Sequence, residues 1–310
     1  RVHYDKLLLA TGSEPRRLKV PGADLDGVLY LRNLADSDAI KQAIEAGGPI
    51  VVVGAGWIGL EVTAAAREAD VAVTVLEAAE LPLQQALGDE VAQVFADLHR
   101  EHGVDLRLGC GIASISGDDG RVTGVVAADG SPIEAATVIV GIGAEPRTSL
   151  AADADLVVSS GVHVDPHLFS SDAQILAAGD IAAIEHHVLH ERIRVEHWAN
   201  ALATGPVAAR SMLGQDVVLD ELPYFFTDQY DLGMEYIGHA DPATTDRVVL
   251  RGDVDGRAFH AFWLTGGTVR AGMHVNLWDD GIEPAKRLIL EGRPVDPDRL
   301  ADASVPLSEL

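Results

Sequence analysis

Three glycines, Gly54, Gly56 and Gly59, stand where an apolar run, 50–53, gives way to an amphipathic one, 57–69. The first run predicts a buried strand and the second a helix. Between a strand and a helix, the first glycine permits a tight turn, the second lets the backbone approach a pyrophosphate, and the third allows close packing. The amino terminus of the helix would then offer N–H groups to the phosphates. The pattern therefore predicts a dinucleotide-binding turn.

An acidic residue follows at the distance that such a turn requires. A second apolar strand, 71–78, carries Glu77, which lies 18 residues after Gly59. A carboxylate there accepts hydrogen bonds from the adenosine ribose hydroxyls and repels a 2′-phosphate. The next three residues, 78–80, include no arginine that could hold that phosphate. NAD(H) is therefore predicted rather than NADP(H).

Glu61 lies two residues after the third glycine, on the predicted helix. One interpretation is that an acid near a helix amino terminus complements the helix dipole. The other is that Glu61 lies near the nicotinamide end of the dinucleotide and fixes its amide or its hydride face. The residues alone favour neither interpretation.

The elements around these residues alternate in type. Strand, helix, strand, helix, β-meander and strand succeed one another over 48–145, which predicts a doubly wound α/β domain. A short strand and a helix follow in 146–215. From 216 onward strands dominate, and a helix is predicted at 283–292 near the end of the chain.

The composition excludes several classes of protein. The 310 residues carry 23 basic and 48 acidic side chains, a net charge of −25, whereas a nucleic-acid or anionic-membrane binder needs a basic surface. No apolar run is long enough for a membrane span. Cys110 is the single cysteine, so neither an intrachain disulfide nor a cysteine redox pair can form. A cytoplasmic location is predicted.

A histidine-rich stretch, "EHHVLHE" at 185–191, suggests a metal site. Its histidines, His186, His187 and His190, lack the spacing of metal-binding motifs and lie in a predicted hairpin. A solvated hairpin is the favoured interpretation, and no metal is predicted.

Four ordered stretches carry a resemblance to a known family. They are "GAGWIGLEVTAAAREADVAVTVLEAAELPL", "VIVGIGAEPRTSLA", "SSDAQILAAGDIA" and "PYFFTDQYDL". Together they resemble the FAD-dependent NADH:ferredoxin reductases of the putidaredoxin reductase and aromatic-ring dioxygenase type. The resemblance implies an α/β fold with glutathione-reductase-like FAD/NAD(P)-binding Rossmann domains and a C-terminal α+β domain. It assigns 1–20 and 146–215 to part of an FAD-binding domain, 21–145 to the NAD-binding domain and 216–310 to the C-terminal domain.

The resemblance also implies which residues contact the two cofactors. For NAD, the predicted contacts are Gly54, Gly56, Trp57, Ile58, Gly59, Glu61, Glu77 and Gly143. For FAD, they are Thr11, Gly12, Asp180, Glu196, His197, Trp198 and Phe226. Of these, Asp180 would hydrogen-bond the ribitol chain, with a plain turn residue as the alternative. Trp198 would lie near the isoalloxazine ring, with a core anchor as its alternative.

Two features depart from the family pattern. Phe226 stands where the family usually has a tryptophan near the flavin, so an aromatic face is retained but the indole N–H donor is lost. The family also begins with its own GxGxxG unit for the ADP half of FAD, which would lie before Arg1. We therefore expect that sequence precedes Arg1.

The resemblance implies an enzyme that passes hydride from NADH to FAD and then single electrons to a [2Fe–2S] ferredoxin. The chain would act as a monomer or a homodimer. Two alternatives stay open, an NADH oxidase or peroxidase-like flavoprotein and an NADH-binding interaction protein similar to apoptosis-inducing factor. Because the chain is so acidic, docking of an acidic ferredoxin would need a basic patch. The candidates, each also interpretable as an ordinary surface residue, are Arg192, Arg194, Arg270 and Arg287.

Overall fold

The computed structural model describes residues 3–310. Its strands are β1 (Leu7–Leu9), β2 (Ser13–Pro15), β3 (Val28–Tyr30), β4 (Ile50–Val53), β5 (Val73–Leu76), β6 (Asp105–Arg107), β7 (Ile112–Asp118), β8 (Arg121–Ala127), β9 (Pro132–Glu134), β10 (Thr137–Val140), β11 (Ala144–Pro146), β12 (Val162–Val164), β13 (Ile175–Ala177), β14 (Ala182–His186), β15 (Glu191–Ile193), β16 (Tyr224–Gln229), β17 (Leu232–Gly238), β18 (Arg247–Asp253), β19 (Ala258–Thr265) and β20 (Thr268–Val275). Its helices are α1 (Leu34–Ala46), α2 (Trp57–Glu68), α3 (Gln84–Leu87), α4 (Asp89–Glu101), α5 (Ser149–Asp153), α6 (Trp198–Met212), α7 (Glu283–Glu291) and α8 (Pro297–Ala301).

A five-stranded parallel sheet lies behind the glycine turn, in the order β3-β10-β4-β5-β6. Its central strand β4 is apolar at every position because both faces of the sheet are covered. Ile50 and Val52 join the core formed with α2 and α4, whereas Val51 and Val53 join the core under the β7-β8-β9 meander. The predicted doubly wound α/β class is confirmed.

The C-terminal sheet is antiparallel, in the order β16-β17-β20-β19-β18. One face carries Met234, Tyr236 and Met273 into the same core as α2 and α4, so the sheet packs directly on the dinucleotide-binding unit. The other face is covered by α7 and the last residues of the chain. This arrangement places β16 against the helix that begins at the glycine turn, a contact on which the site depends.

The remaining strands link these two sheets. β1 pairs in parallel with β13, β2 pairs with β11, and β12, β14 and β15 form a small third layer. They direct the chain from the turn at Gly179–Ile181 into α6. Within residues 3–310, no helix has both the length and the apolar character that crossing a membrane requires.

Candidate functional site

The three glycines of the turn have different steric roles. Gly54 has φ +99°, and a Cβ there would lie 2.4 Å from the carbonyl oxygen of Gly141. A Cβ at Gly59 would lie 2.1 Å from the carbonyl oxygen of Gly54. At Gly56, by contrast, the nearest atom to an added Cβ is 3.9 Å away. The first and third glycines are therefore required by the fold, whereas the second faces open space.

The amino terminus of α2 opens into that space. Gly56 is the N-cap residue and supplies no side-chain cap, so the first N–H groups of the helix stay available to a ligand. Ile58 is exposed there. Trp57 is half-buried, and its ring packs edge-on against Phe95 and Phe225, so its contribution to a dinucleotide would be the backbone N–H.

Glu77 lies at the carboxyl end of β5, beside this turn. Its Oε2 accepts a hydrogen bond from the Ala55 N–H at 2.6 Å, and its Oε1 accepts one from the Ala79 N–H at 2.8 Å. Each carboxylate oxygen retains a lone pair, which is what a ribose hydroxyl would use. The carboxylate therefore fixes the turn as well as offering an acceptor to the ribose.

The carboxyl ends of β4 and β10 lie side by side, because Val53 pairs with Val140. The loop after β10 reaches Gly143, which has φ +91°. Its carbonyl accepts a hydrogen bond from the Arg16 N–H at 3.0 Å. Gly143 therefore lies just beyond the carboxyl ends of these strands, the edge at which doubly wound sheets generally bind ligands.

Glu61 faces the C-terminal sheet. The Thr227 hydroxyl on β16 donates a hydrogen bond to Glu61 Oε1 at 2.6 Å. Although Glu61 retains solvent contact, desolvation of its carboxyl raises its pKa, the hydrogen bond from Thr227 opposes that rise, and the nearby Asp228 adds to it. The contact with β16 gives Glu61 a specific partner that a role in the helix dipole alone does not require.

Three of the residues predicted to contact FAD lie at or beside an ion pair. Asp180 is buried, and its Oδ2 lies 2.9 Å from a guanidinium nitrogen of Arg32. Gly12, with φ +65°, passes so close that an added Cβ would lie 3.0 Å from the same nitrogen. The Thr11 hydroxyl donates to the Arg147 carbonyl at 2.8 Å. Sequence reasoning missed Arg32, since nothing in its local pattern signals a partner 148 residues away.

The amino terminus of α6 forms the next part of this surface. His197 is the N-cap residue without a side-chain capping bond, and its Nδ1 is buried without a hydrogen-bond partner. Burial lowers the pKa of His197 to about 4, so its ring is neutral at physiological pH. Trp198 is 73% exposed, which contradicts the core-anchor interpretation, and Glu196 pairs with Arg194 at 2.7 Å. An uncapped helix end, an unpaired ring nitrogen and an exposed indole fit a planar polar ring such as a flavin.

The NAD-side and FAD-side residues converge on β16. Phe226 points outward and is 53% exposed. Its neighbour Phe225 points inward, where its ring centroid lies 5.0 Å from Trp57 and 4.7 Å from His197. One strand therefore touches the turn for the dinucleotide and the segment for the flavin, an arrangement suited to bringing two ring systems together.

The histidine-rich hairpin was predicted to be solvated, but the structure contradicts this for one of its histidines. His186 is buried, and its Nε2 lies 2.9 Å from the Glu221 carbonyl oxygen, because β14 and β15 pair across the hairpin and fold it inward. Within residues 3–310, no group of three or more histidine, cysteine or acidic side chains is arranged to hold a metal ion.

The predicted basic docking patch is also not supported. Each of its four arginines already forms an ion pair within the chain, so its charge is locally neutralised. The pairs are Arg192–Glu185 at 3.4 Å, Arg194–Glu196 at 2.7 Å, Arg270–Glu191 at 2.8 Å and Arg287–Glu291 at 2.9 Å.

Replacing Asp180 with alanine is expected to weaken FAD binding about tenfold or more. The change removes a buried acceptor and leaves the Arg32 guanidinium unpaired, and a hydrogen bond to a charged group contributes about 1.5–3 kcal/mol. Titration of the chain with FAD, followed by flavin fluorescence, measures the effect. Glu185→Ala is the control, because it removes an exposed acid that pairs with Arg192. Equal FAD affinity in both variants would contradict the role of Asp180.

Comparison with known proteins identifies both parts of the chain. The model of the pyridine nucleotide-disulphide oxidoreductase family matches residues 1–205, and that of the reductase C-terminal family matches 224–310. The 5,5′-dehydrodivanillate O-demethylase ferredoxin reductase subunit from Sphingobium sp. is 38% identical over 99% of this chain and 74% of its own length. The structure of the ferredoxin reductase for the CYP199A2 system from Rhodopseudomonas palustris matches with a TM-score of 0.93 at 35% identity, over 99% of this chain and 76% of its own. The covalent putidaredoxin reductase–putidaredoxin complex matches with the same TM-score and identity, over 99% of this chain and 74% of its own.

Proposed function

Because the chain belongs to the pyridine nucleotide-disulphide oxidoreductase family, among its ferredoxin reductases, we propose that it passes electrons from NADH through FAD to a [2Fe–2S] ferredoxin. The observation that carries the proposal is the convergence on β16. Through Thr227 and Phe225, this strand contacts both Glu61 beside the dinucleotide turn and His197 beside the flavin segment. The ferredoxin would serve an oxygenase; the relative from Sphingobium sp. is named as the ferredoxin reductase subunit of an O-demethylase.

On the dinucleotide side, the chain positions its ligand with backbone groups. The open space at Gly56 admits the pyrophosphate, and the uncapped end of α2 donates to it. Glu77 accepts from the adenosine ribose and disfavours a 2′-phosphate, so NADH is the predicted donor. Glu61 then lies at the nicotinamide end of the crevice.

On the flavin side, Asp180 would hold the ribitol and α6 would present its amino terminus to the ring. Neutral His197 and exposed Phe226 would border the ring and exclude water from it. A bound flavin would supply hydride acceptance and single-electron release, so no side chain of this region has to act as an acid or base. The task of the protein is to hold the two rings in a reactive geometry.

The proposal also assigns a role to each part of the chain. Residues 1–20 and 146–215 would contribute to the flavin site, 21–145 would bind NAD, and 216–310 would cover the ring. A cytoplasmic location is also proposed, in agreement with a single cysteine that cannot form an intrachain disulfide.

An anaerobic NADH titration of the chain supplied with FAD tests this function. We expect the visible flavin band to bleach with NADH and not with NADPH, and to recover when an oxidised [2Fe–2S] ferredoxin is added. Recovery with oxygen or peroxide but not with ferredoxin would favour the oxidase or peroxidase alternative. Slow bleaching with a long-lived reduced complex would favour the interaction protein. A flavin that NADH does not bleach would contradict all three.

A further inference from the structure

A chain of hydrogen-bonded side chains runs through the interface between the C-terminal sheet and the helices α2 and α4. Its members, in spatial order, are Glu61, Thr227, Gln229, His99 and Tyr230. The three central side chains are almost fully buried, with exposures of 2% for Thr227 and 0% for Gln229 and His99. We call these five side chains the relay. A buried polar network of this kind is stabilising only when each member finds its partner.

The available donors and acceptors fix the direction in which the hydrogen bonds of the relay donate. The Thr227 hydroxyl has one proton and donates it to Glu61 Oε1 at 2.6 Å, so towards Gln229 it can only accept. Gln229 Nε2 donates to that hydroxyl at 3.3 Å. Gln229 Oε1 faces His99 Nε2 at 2.9 Å, so this ring nitrogen carries the proton and donates.

The far end of the relay follows the same direction. Burial lowers the pKa of His99 to about 4, so the ring is neutral and only one of its nitrogens is protonated. Since Nε2 holds the proton, Nδ1 accepts from the Tyr230 hydroxyl, 3.3 Å away. All four hydrogen bonds therefore donate towards Glu61, and their aligned dipoles favour its ionised form.

The backbone at the end of the relay has an uncommon conformation. Tyr230 closes the turn between β16 and β17 with φ +56°, a region that bulky side chains seldom adopt. In this conformation its ring stacks on His102, just after α4, with centroids 3.7 Å apart, and its hydroxyl reaches His99. Such strain persists where the surroundings hold it in place, and it concentrates at functional sites.

We propose that Thr227, Gln229 and His99 are positioning residues for Glu61, holding its carboxylate oriented and ionised to accept a hydrogen bond from the carboxamide of NADH. The inference rests on the proposed function, since it concerns the nicotinamide end of the same site. It assigns to the C-terminal domain a part in dinucleotide binding as well as in covering the flavin.

Charged groups from each neighbouring element act on the relay. Asp228 on β16 raises the pKa of Glu61, and His102, just after α4, lowers that of His99. Burial raises the pKa of Tyr230, Arg67 on α2 lowers it, and Glu68 on α2 raises it. The carboxamide N–H₂ is a donor, and it forms a stronger hydrogen bond with the ionised carboxylate than with the protonated carboxyl. NADH binding should therefore be tight above the pKa of Glu61 and weaken as the pH falls through it. Loss of the hydrogen bonds of the relay raises the pKa of Glu61 further, so NADH binding then begins to weaken at a higher pH.

Calorimetry of NADH binding to the full chain, repeated from acidic to mildly alkaline pH, tests this inference without turnover. Thr227→Val removes the hydroxyl at nearly constant shape and should raise the pH midpoint of binding by about one unit. Gln229→Leu should move the midpoint in the same direction by less, although Gln229 does not touch Glu61. Two controls should leave it in place, Thr227→Ser, which keeps the hydroxyl, and Gln93→Leu, which changes an exposed glutamine paired with Asp97.

A purely structural role would give a different pattern. If Thr227→Val weakens NADH binding equally at every pH, with the midpoint of the wild-type chain, the inference is overturned. Because Thr227→Val removes the hydroxyl and Thr227→Ser keeps it, this comparison decides the question even where Gln229→Leu fails to fold. A wild-type chain that binds no NADH at any pH would overturn the proposed function, and the role of the relay with it.

Discussion

Gly56→Val is expected to weaken NADH binding about 100-fold while leaving the fold intact. An added side chain at this position meets no protein atom closer than 3.9 Å at its Cβ, so the turn can accept it. The space that it fills is the space in which a pyrophosphate would approach the backbone of the turn. A 100-fold loss corresponds to about 2.7 kcal/mol, a plausible cost for displacing a ligand from backbone donors. Calorimetry with NADH measures the affinity, and thermal unfolding measures the stability.

Ala65→Val is the control for this change. Ala65 is an exposed residue of α2, nine positions beyond Gly56, so the substitution adds methyl groups to the same helix but not at the turn. We expect wild-type NADH affinity for this variant. Normal affinity in Gly56→Val would mean that the dinucleotide does not bind at the glycine turn.

Gly59→Ala, in contrast, is expected to reduce the stability of the fold. Its Cβ would lie 2.1 Å from the carbonyl oxygen of Gly54, far inside van der Waals contact and against backbone that cannot rotate away. Either β4 or α2 would have to move, in a core where Val52 and Leu60 are fully buried. We expect the free energy of unfolding to fall by about 3 kcal/mol or more. Chemical denaturation measures the change.

The control for stability is Ala65→Gly, which should lower the free energy of unfolding by only about 0.5–1 kcal/mol, because glycine is less favourable than alanine in a helix. A Gly59→Ala variant as stable as the wild type would show that strand and helix are less closely packed than described. Together, Gly56 and Gly59 separate what the ligand requires from what the fold requires.

Most of the fold and the dinucleotide turn could be predicted from local sequence patterns. The spacing of Gly54, Gly56 and Gly59 predicts the turn because all three glycines lie within one short strand–helix unit of the sequence. The continuous apolar run of β4 predicts a strand covered on both faces, and the structure confirms it. The α+β character of the last part of the chain also follows from alternation along its strands.

Contacts between segments that are far apart in the sequence could not be predicted from local patterns. Arg32 meets Asp180 across 148 residues, and Glu61 meets Thr227 across 166, so neither pair forms a periodic or spaced motif. The same limit applies to charge. The sequence presents Arg270 as a free cation, whereas folding brings Glu191 to 2.8 Å from it. Roles that depend on tertiary pairing therefore required the structure.

The number of ferredoxin molecules reduced per NADH, measured anaerobically with the chain and added FAD, tests the central claim most directly. The account predicts two reduced [2Fe–2S] centres for each NADH consumed, because hydride carries two electrons and the ferredoxin accepts one at a time. It also predicts that Gly56→Val lowers the rate without changing this ratio. NADH consumption that leaves the ferredoxin oxidised would contradict the account.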